Sequence, residues 1–460
     1  MSEHPATHRV AFHVDGRLVA DVPLTHGQAY IWDIMEGLGR NNGHTNFGMR
    51  IEIGADLGLD AVAARLREIF TRHESLRTLL HRDEQGELRQ TVLADVAFDI
   101  ELRPGPPDEA VLETLRKQVF DRLAFPARIY LFGTGPARLL LVVFSHMVTD
   151  GWGWGLLRRE LDGLFRGELR ANTDAPPPWH PFDQWSWESS PEGRAAERQG
   201  HDYWRATLAK FPPSLAAAST VASDERGWWQ AQVRSAAMGR AVGRLAREFR
   251  VSETVVISSL AAVIADRWFG LGAFHVLALS ANRLVRRTMF SIAPYSQGAP
   301  LILESGGAPF GELLRRNYAA VLRASQHSSI SPRSMQELKV AAGEAGGPVE
   351  LDCWLNVHIP RSEQDAAGEL PPREVDDGAF RWNAFRDSEI TTLYFEAQHA
   401  DVAVLQADSR YIPKSQFEPL LRLYRQLALH LAHDPTQDPG LLARTLFAGT
   451  LPAGAAAAAR

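Results

Sequence analysis

The sequence predicts an α/β fold with a domain boundary between two halves of similar make-up, and three observations carry that prediction. The chain has 460 residues, as a soft prior about two to three ordinary domains. Short β-type runs alternate with longer stretches in which apolar residues recur every third or fourth place, the patterns of strands and amphipathic helices. Both halves share this mixture, and between them lies RANTDAPPPWHPFDQW (170–185), whose consecutive prolines and missing apolar period read as a linker. The boundary is set there: 1–182 forms the first lobe and 183–450 the second. The low-complexity end, 451–460 (LPAGAAAAAR), is expected to be disordered.

Composition narrows the function classes. The chain is 45% hydrophobic, 23% charged and 9% aromatic, ordinary for a globular protein. Its formal charge is −6 and no basic run stands out, so no nucleic-acid partner is expected. A single cysteine, Cys353, rules out an internal disulfide and fits a reducing compartment. No stretch approaches the ~18 apolar residues of a membrane span, and the N-terminus lacks a signal-peptide core. A soluble, cytoplasmic protein without a membrane partner is the expectation.

The elements follow in order. Residues 9–22 alternate around Asp15-Gly16, which predicts a short hairpin. Thr25 can cap a helix within 24–39 whose inner face holds Ala29, Trp32 and Met35. A strand at 47–53 precedes a helix at 59–70 with Val62, Leu66 and Phe70 inward. That helix runs into TRHESLRTLL (71–80), where Arg72, His73, Glu74 and Arg77 form a charged cluster of the solvated or structural kind common at helix ends. A turn at 83–86, a strand at 89–93 and a helix at 108–123 come next. A strand at 127–132 then turns through 133–136 into an antiparallel neighbour at 139–144. Beyond the linker the pattern gives helical segments within 186–208, a strand at 228–234, and helices at 238–249 and 252–269, the latter apolar enough to be buried. Strands at 274–280, 351–359, 391–398 and 402–408 and helices at 310–326 and 414–433 complete it.

Chemistry concentrates in LLLVVFSHMVTDGWGWGLLRRELDGLF (139–165). Six apolar residues read as a strand buried on both faces, and the period from Leu156 onward reads as an amphipathic helix. Between them stands SHMVTDG (145–151). Ser145 does not fit a nucleophile: neighbours on a strand face opposite ways, and Val143 stands where a Gly-x-Ser-x-Gly elbow needs glycine. His146 and Asp150 are two ligands without HExxH or Cys-x-x-Cys company, so no metal is expected. Gly151, Gly153 and Gly155 alternate with tryptophans and lack the Lys-Ser/Thr of a phosphate cradle. Two readings stay open on spacing alone. His146 is a general base with Asp150 nearby, or it is a core histidine beside an aspartate that caps the following helix.

SHMVTDG resembles the HHxxxDG motif of nonribosomal peptide synthetase condensation domains, of the chloramphenicol acetyltransferase-like superfamily. LTHGQAYIW (24–32), RHESLRT (72–78), FDQWSWE (182–188), Tyr203-Trp204 and LALSANR ending at Arg283 are similar to that family's other signatures, in its order. The resemblance implies two acetyltransferase-like lobes, each a mixed β-sheet flanked by helices, in a V-shaped pseudo-dimer, and His146 as the catalytic residue. It also implies a structural ion pair of Asp150 with Arg283, and Gly151 as the residue that lets the chain turn tightly into the helix. Ser145 stands for the motif's first histidine and points away from the site, and Gln297 stands where the family carries asparagine. With Trp152, these are candidates for the tunnel or acceptor side, although Trp152 and Trp154 are expected to pack in the core. The function implied is acyl transfer from a phosphopantetheine thioester on an acyl or peptidyl carrier protein to an amine or, secondarily, a hydroxyl. The enzyme would be free-standing and monomeric, with no bound cofactor. A coenzyme A-dependent acyltransferase and a non-catalytic recruitment domain are the alternatives.

Overall fold

Strand pairing organises the first half, and the computed structural model describes residues 6–15, 21–54, 56–133, 138–168, 178–212, 226–343, 349–359, 369–386 and 389–447. Its strands are β1 (Ala6–His13), β2 (Val22–Pro23), β3 (Phe47–Ile53), β4 (Thr78–Arg82), β5 (Leu88–Val92), β6 (Asp95–Arg103), β7 (Ala127–Phe132) and β8 (Arg138–Phe144). They form a five-stranded sheet in the order β1-β6-β7-β8-β3 and a three-stranded sheet β2-β5-β4. β7 and β8 are antiparallel neighbours, as the sequence predicts. β8 also pairs with β3, and Leu140, Leu141, Val142, Val143 and Phe144 are all buried, which explains the unbroken apolar run.

Three local expectations fail for identifiable reasons. The hairpin around Asp15-Gly16 does not form: β1 pairs antiparallel with β6, while β2 pairs with β5 in the other sheet. Alternation marks a strand but not its partner, and residues 16–20 lie outside the described ones. The helix expected over 108–123 is shorter, Glu109–Lys117 behind an Asp108 cap. Beyond it the carbonyls of Gln118 and Val119 accept hydrogen bonds from Arg128. Part of the expected linker is a helix, Pro181–Glu188, with its proline in the first turn, where the missing N–H costs nothing. Pro176 and Pro177 of the triple proline, like the expected disordered end at 451–460, lie outside the described residues.

The second half adds β9 (Trp228–Arg234), β10 (Ala273–Ser280), β11 (Gln297–Glu304), β12 (Cys353–Val357), β13 (Ala379–Arg386), β14 (Leu393–Ala397) and β15 (Val402–Asp408). They form one mixed seven-stranded sheet, β11-β10-β12-β14-β15-β9-β13. The helices Ala236–Phe249, Glu253–Phe269, Phe310–Gln326 and Phe417–His433 contribute to its apolar core, and Glu253–Phe269 is the buried helix its composition predicts. β11 and β13 escape the pattern analysis. β11 (QGAPLILE) contains Gly298 and Pro300, tolerated because it is an edge strand, and β13 (AFRWNAFR) is the other, largely exposed edge.

The chain divides into two compact units: Met1–Glu197 with Ala281–Gln297, and Arg198–Ser280 with Gly298–Arg460. The chain thus leaves the second unit after Ser280, contributes a short segment to the first, and returns at Gly298. Among the described residues no helix is long and apolar enough to cross a membrane.

In the first unit Phe70 is fully buried, with ring centroids 4.9 Å from Phe98, 5.6 Å from Phe125 and 6.2 Å from Phe144. Phe70→Ala is expected to cost ~3–5 kcal/mol through the cavity it leaves under β8. A urea titration checks this as a lower midpoint at an unchanged slope.

Candidate active site

Phe144 ends β8, and the chain turns through Ser145–Val148, closed by Val148 N–H donating to Ser145 O at 3.2 Å. Ser145 and His146 diverge in this turn. Ser145 is buried and its Oγ accepts from Met147 N–H at 3.3 Å, so it faces the interior and not the imidazole. The separation expected from strand alternation is present, but the turn produces it. His146 is half-buried, its ring edge-on to Phe47 on β3 with centroids 5.0 Å apart. Nδ1 lies 2.9 Å from Thr149 O. A carbonyl only accepts, so Nδ1 carries the proton and the lone pair of the neutral ring sits on Nε2. Burial pushes the His146 pKa below its ordinary value of 6.5, against the opposing influence of Asp150 and backbone contacts. The ring is therefore a neutral base at neutral pH.

Asp150 both caps the helix Gly151–Arg166 and anchors the returning segment. Its side chain has no solvent exposure. Oδ1 accepts from Gly153 N–H at 2.8 Å and from Arg283 Nη2 at 3.0 Å; Oδ2 accepts from Tyr295 N–H at 2.8 Å, Ser296 N–H at 3.0 Å and Ser296 Oγ at 3.1 Å. Burial opposes ionisation, but Arg283 and the backbone donors outweigh it and hold the carboxyl below the usual carboxylate range. Arg283 also donates to the carbonyls of Ala281, Ser291 and Ala293 and lies 4.4 Å above the Tyr295 ring. The guanidinium thus folds segment 281–297 around itself and pins it to the helix N-terminus.

Gly151 does not play the part expected of it. Its φ lies outside the left-handed region, and an added Cβ would meet nothing within 4 Å. The steric constraint falls on Gly153, where a Cβ would lie 2.4 Å from Ile292 O and 2.7 Å from Thr149 Oγ1. A Cβ on Gly27, at the start of the helix His26–Leu38, would lie equally close to the same segment, 2.4 Å from Pro294 O. Trp152 departs from the core packing predicted for it: it is 42% exposed, and Nε1 donates to Met289 O at 2.9 Å. Trp154 does pack, stacked on Phe47. Gln297 is buried, with Oε1 3.4 Å from Asn282 Nδ2.

The RHESLRT cluster braces this turn from behind. His73, Glu74, Ser75 and Arg77 are all buried, so the solvated reading fails. Ser75 Oγ donates to Val148 O, in the turn that carries His146. Glu160, on the Gly151–Arg166 helix, accepts from His73 Nε2 at 2.8 Å and forms an ion pair with Arg72, whose Nε lies 3.1 Å away without a hydrogen bond. Burial opposes its ionisation, and these two partners lower its pKa overall. Sequence reasoning missed Ser75, Glu160, Phe47 and Gly153; only the alternating glycines gave a visible signal.

Two outcomes check this geometry. Asp150→Ala leaves Arg283 buried without its counter-charge and is expected to cost ~3–5 kcal/mol in a thermal or denaturant melt. Gly153→Ala is expected to lower the melting temperature, whereas Gly151→Ala leaves it unchanged, read by calorimetry side by side.

The family model described as Condensation domain matches residues 20–338. Phosphinothricin tripeptide synthetase PhsC of Streptomyces viridochromogenes is 28% identical over 291 residues, 57% of this chain and 26% of that protein. Chondramide synthase cmdD of Chondromyces crocatus is 27% identical over 344 residues, 70% of this chain and 9% of that protein. The chain thus spans 26% or less of the length of these curated relatives. The solved condensation domain of the Monacolin K polyketide synthase MokA superposes with a TM-score of 0.69 at 16% identity, covering 92% of this chain and 100% of that domain, a likeness of fold. The chain belongs to the condensation-domain family.

Proposed function

We propose that this chain is an acyltransferase that forms an amide bond, taking its acyl group from a phosphopantetheine thioester on a carrier protein. The observation that carries the reading is the state of His146: neutral through burial, Nδ1–H held by Thr149 O, and an Nε2 lone pair that no hydrogen bond among the described residues takes up. The acceptor amine attacks the thioester carbonyl, forming C–N while C–S breaks. Nε2 takes the proton the amine loses and returns it to the departing thiolate, so amide and free thiol are the products. General-base help of this kind contributes roughly 10²–10⁴-fold, and positioning supplies much of the remainder. Amine is favoured over hydroxyl because a neutral amine attacks before it needs deprotonation. Asp150 and Arg283 act as positioning residues, since their charges are consumed by each other and by backbone groups. Ser145 is dispensable for chemistry because its hydroxyl is turned to Met147 N–H.

The test is turnover of wild type, His146→Ala and Ser145→Ala with acyl-loaded carrier proteins, matching acyl-coenzyme A and a pool of amines and alcohols, with products read by mass. Carrier-dependent amide that falls about 10²–10⁴-fold in His146→Ala and persists in Ser145→Ala is the expected result. Equal use of acyl-coenzyme A would replace the reading with the coenzyme A branch. Binding of loaded carrier without any product would replace it with recruitment. The pH dependence has a fixed sign. A depressed histidine pKa keeps the base unprotonated, so the wild-type rate, once the ionisation of the acceptor amine is divided out, is expected to stay level from pH 8 to the ordinary histidine value of 6.5 and to fall only below it.

A further inference from the structure

Segment 281–297 has an inner and an outer side, and Asp150 accounts only for the inner one. Arg283 and residues 291–296 supply the bonds around the carboxylate and its arginine. The stretch between them, LVRRTMF (284–290), faces outward. Leu284 and Phe290 are 58% and 61% exposed, and Val285 and Met289 are exposed beside them. Exposed apolar residues scattered singly are ordinary, whereas clustered ones mark a contact surface. Four of the thirteen large apolar side chains exposed among the described residues fall within these seven positions. Trp152 joins them as a fifth through its bond to Met289 O.

The backbone under this patch is fixed. Thr288 is the one buried residue of the stretch, and its hydroxyl reaches the carbonyls of Val285 and Asn282 at 3.0 and 3.2 Å. Thr288 N–H donates to Val285 O at 3.1 Å and Ser291 N–H to Thr288 O at 3.2 Å. A surface already ordered loses less entropy on binding. Its charge is one-sided. Residues 281–297 hold three arginines and no carboxylate, in a chain of formal charge −6. Arg283 is consumed by Asp150. Arg286 and Arg287 are exposed, and neither has an ion-pair partner among the described residues. Arg287 lies over the Trp187 ring, 4.5 Å from its centroid. Arg159, two turns beyond Trp152 on the same helix face, is exposed as well. An apolar centre bordered by cations matches a partner with apolar side chains inside an acidic rim. It disfavours a second copy docked through the same patch, since a two-fold contact would bring these arginines against their own copies.

We infer that Leu284, Val285, Met289, Phe290 and Trp152, bordered by Arg286 and Arg287, form the docking surface for an acidic face of the carrier protein. The patch lies in the same unit as His146, and Trp152 stands in the helix that follows the His146 turn. The surface therefore selects among carriers by the acidity of the face they present. Naming the partner a carrier protein rests on the acyl-transfer reading; the acidic, apolar-centred character of the partner rests on the patch alone.

Fluorescence anisotropy tests this, with labelled carrier proteins of graded surface acidity titrated by the full chain at low and at physiological salt. The most acidic carrier is expected to bind most tightly and to weaken as salt rises. Phe290→Ser and Arg286→Glu are each expected to weaken it roughly tenfold or more, and Arg286→Glu to flatten the salt dependence. Both positions are exposed, so both variants are expected to melt with wild type. Leu441→Ser, at a residue of the second unit that is 61% exposed, is expected to leave the affinity unchanged. His146→Ala is expected to bind as wild type does, which separates docking from chemistry. Binding that survives in both Phe290→Ser and Arg286→Glu, or a wild type that binds no carrier, overturns the inference. So does self-association in sedimentation, or binding to phosphatidylserine vesicles, that Phe290→Ser abolishes while carrier binding persists. Carrier binding that follows the patch without any turnover overturns only the acyl-transfer reading and leaves the docking surface.

Discussion

A fully buried carboxylate with five hydrogen-bond donors around it governs the first unit. Asp150 cannot be left in the interior uncompensated, because a buried charge without partners costs several kcal/mol. Its donors come from the helix it caps and from a segment more than a hundred residues later in the chain. Satisfying the charge therefore fixes three things together: where the helix begins, where the turn bearing His146 lies, and where segment 281–297 docks. Gly153 and Gly27 complete the arrangement by subtraction, since each lets a carbonyl of that segment approach where a methyl group would stand.

A second set of contacts secures the same turn from the other side. Ser75 holds the carbonyl of Val148, and Arg72 and His73 hold Glu160 on the helix that follows. Two motifs far apart in sequence are thus parts of one support, and neither places a group on Nε2 of the imidazole. The division of labour is physical. The charged residues are held by one another and by backbone groups, while among the described residues no hydrogen bond reaches Nε2 of His146.

The strand, turn and helix around His146 were legible because each has its own period: six apolar residues in a row, then a polar break, then apolar residues at helical spacing. Thr25 as a cap, the antiparallel pairing of β7 with β8 and the buried Glu253–Phe269 helix were legible for the same local reasons. What depends on distant partners was not. β1 alternates as a hairpin strand would, yet its partner is β6, and β11 and β13 are edge strands whose glycine, proline and polar residues hide them. The pairing of Asp150 with Arg283 came from family resemblance, since no spacing rule links them. The tautomer of His146 and the steric need at Gly153 depend on single carbonyl oxygens, Thr149 O and Ile292 O, which leave no trace in the pattern of side chains.

The return of segment 281–297 to the first unit also sets an order of assembly on the ribosome. Asp150 and Arg283 are 133 residues apart in sequence. At 5–20 residues per second the aspartate waits roughly 7–27 s for its counter-charge. During that interval the emerging first unit carries a carboxylate destined for the interior with nothing there to receive it. The full set of donors to Asp150 is present only after β10 and the segment through Ser296 have been made. The latest-arriving piece of the first unit is therefore the one that sets its reactive group, and a chain interrupted before Arg283 would present the histidine without the frame that orients it.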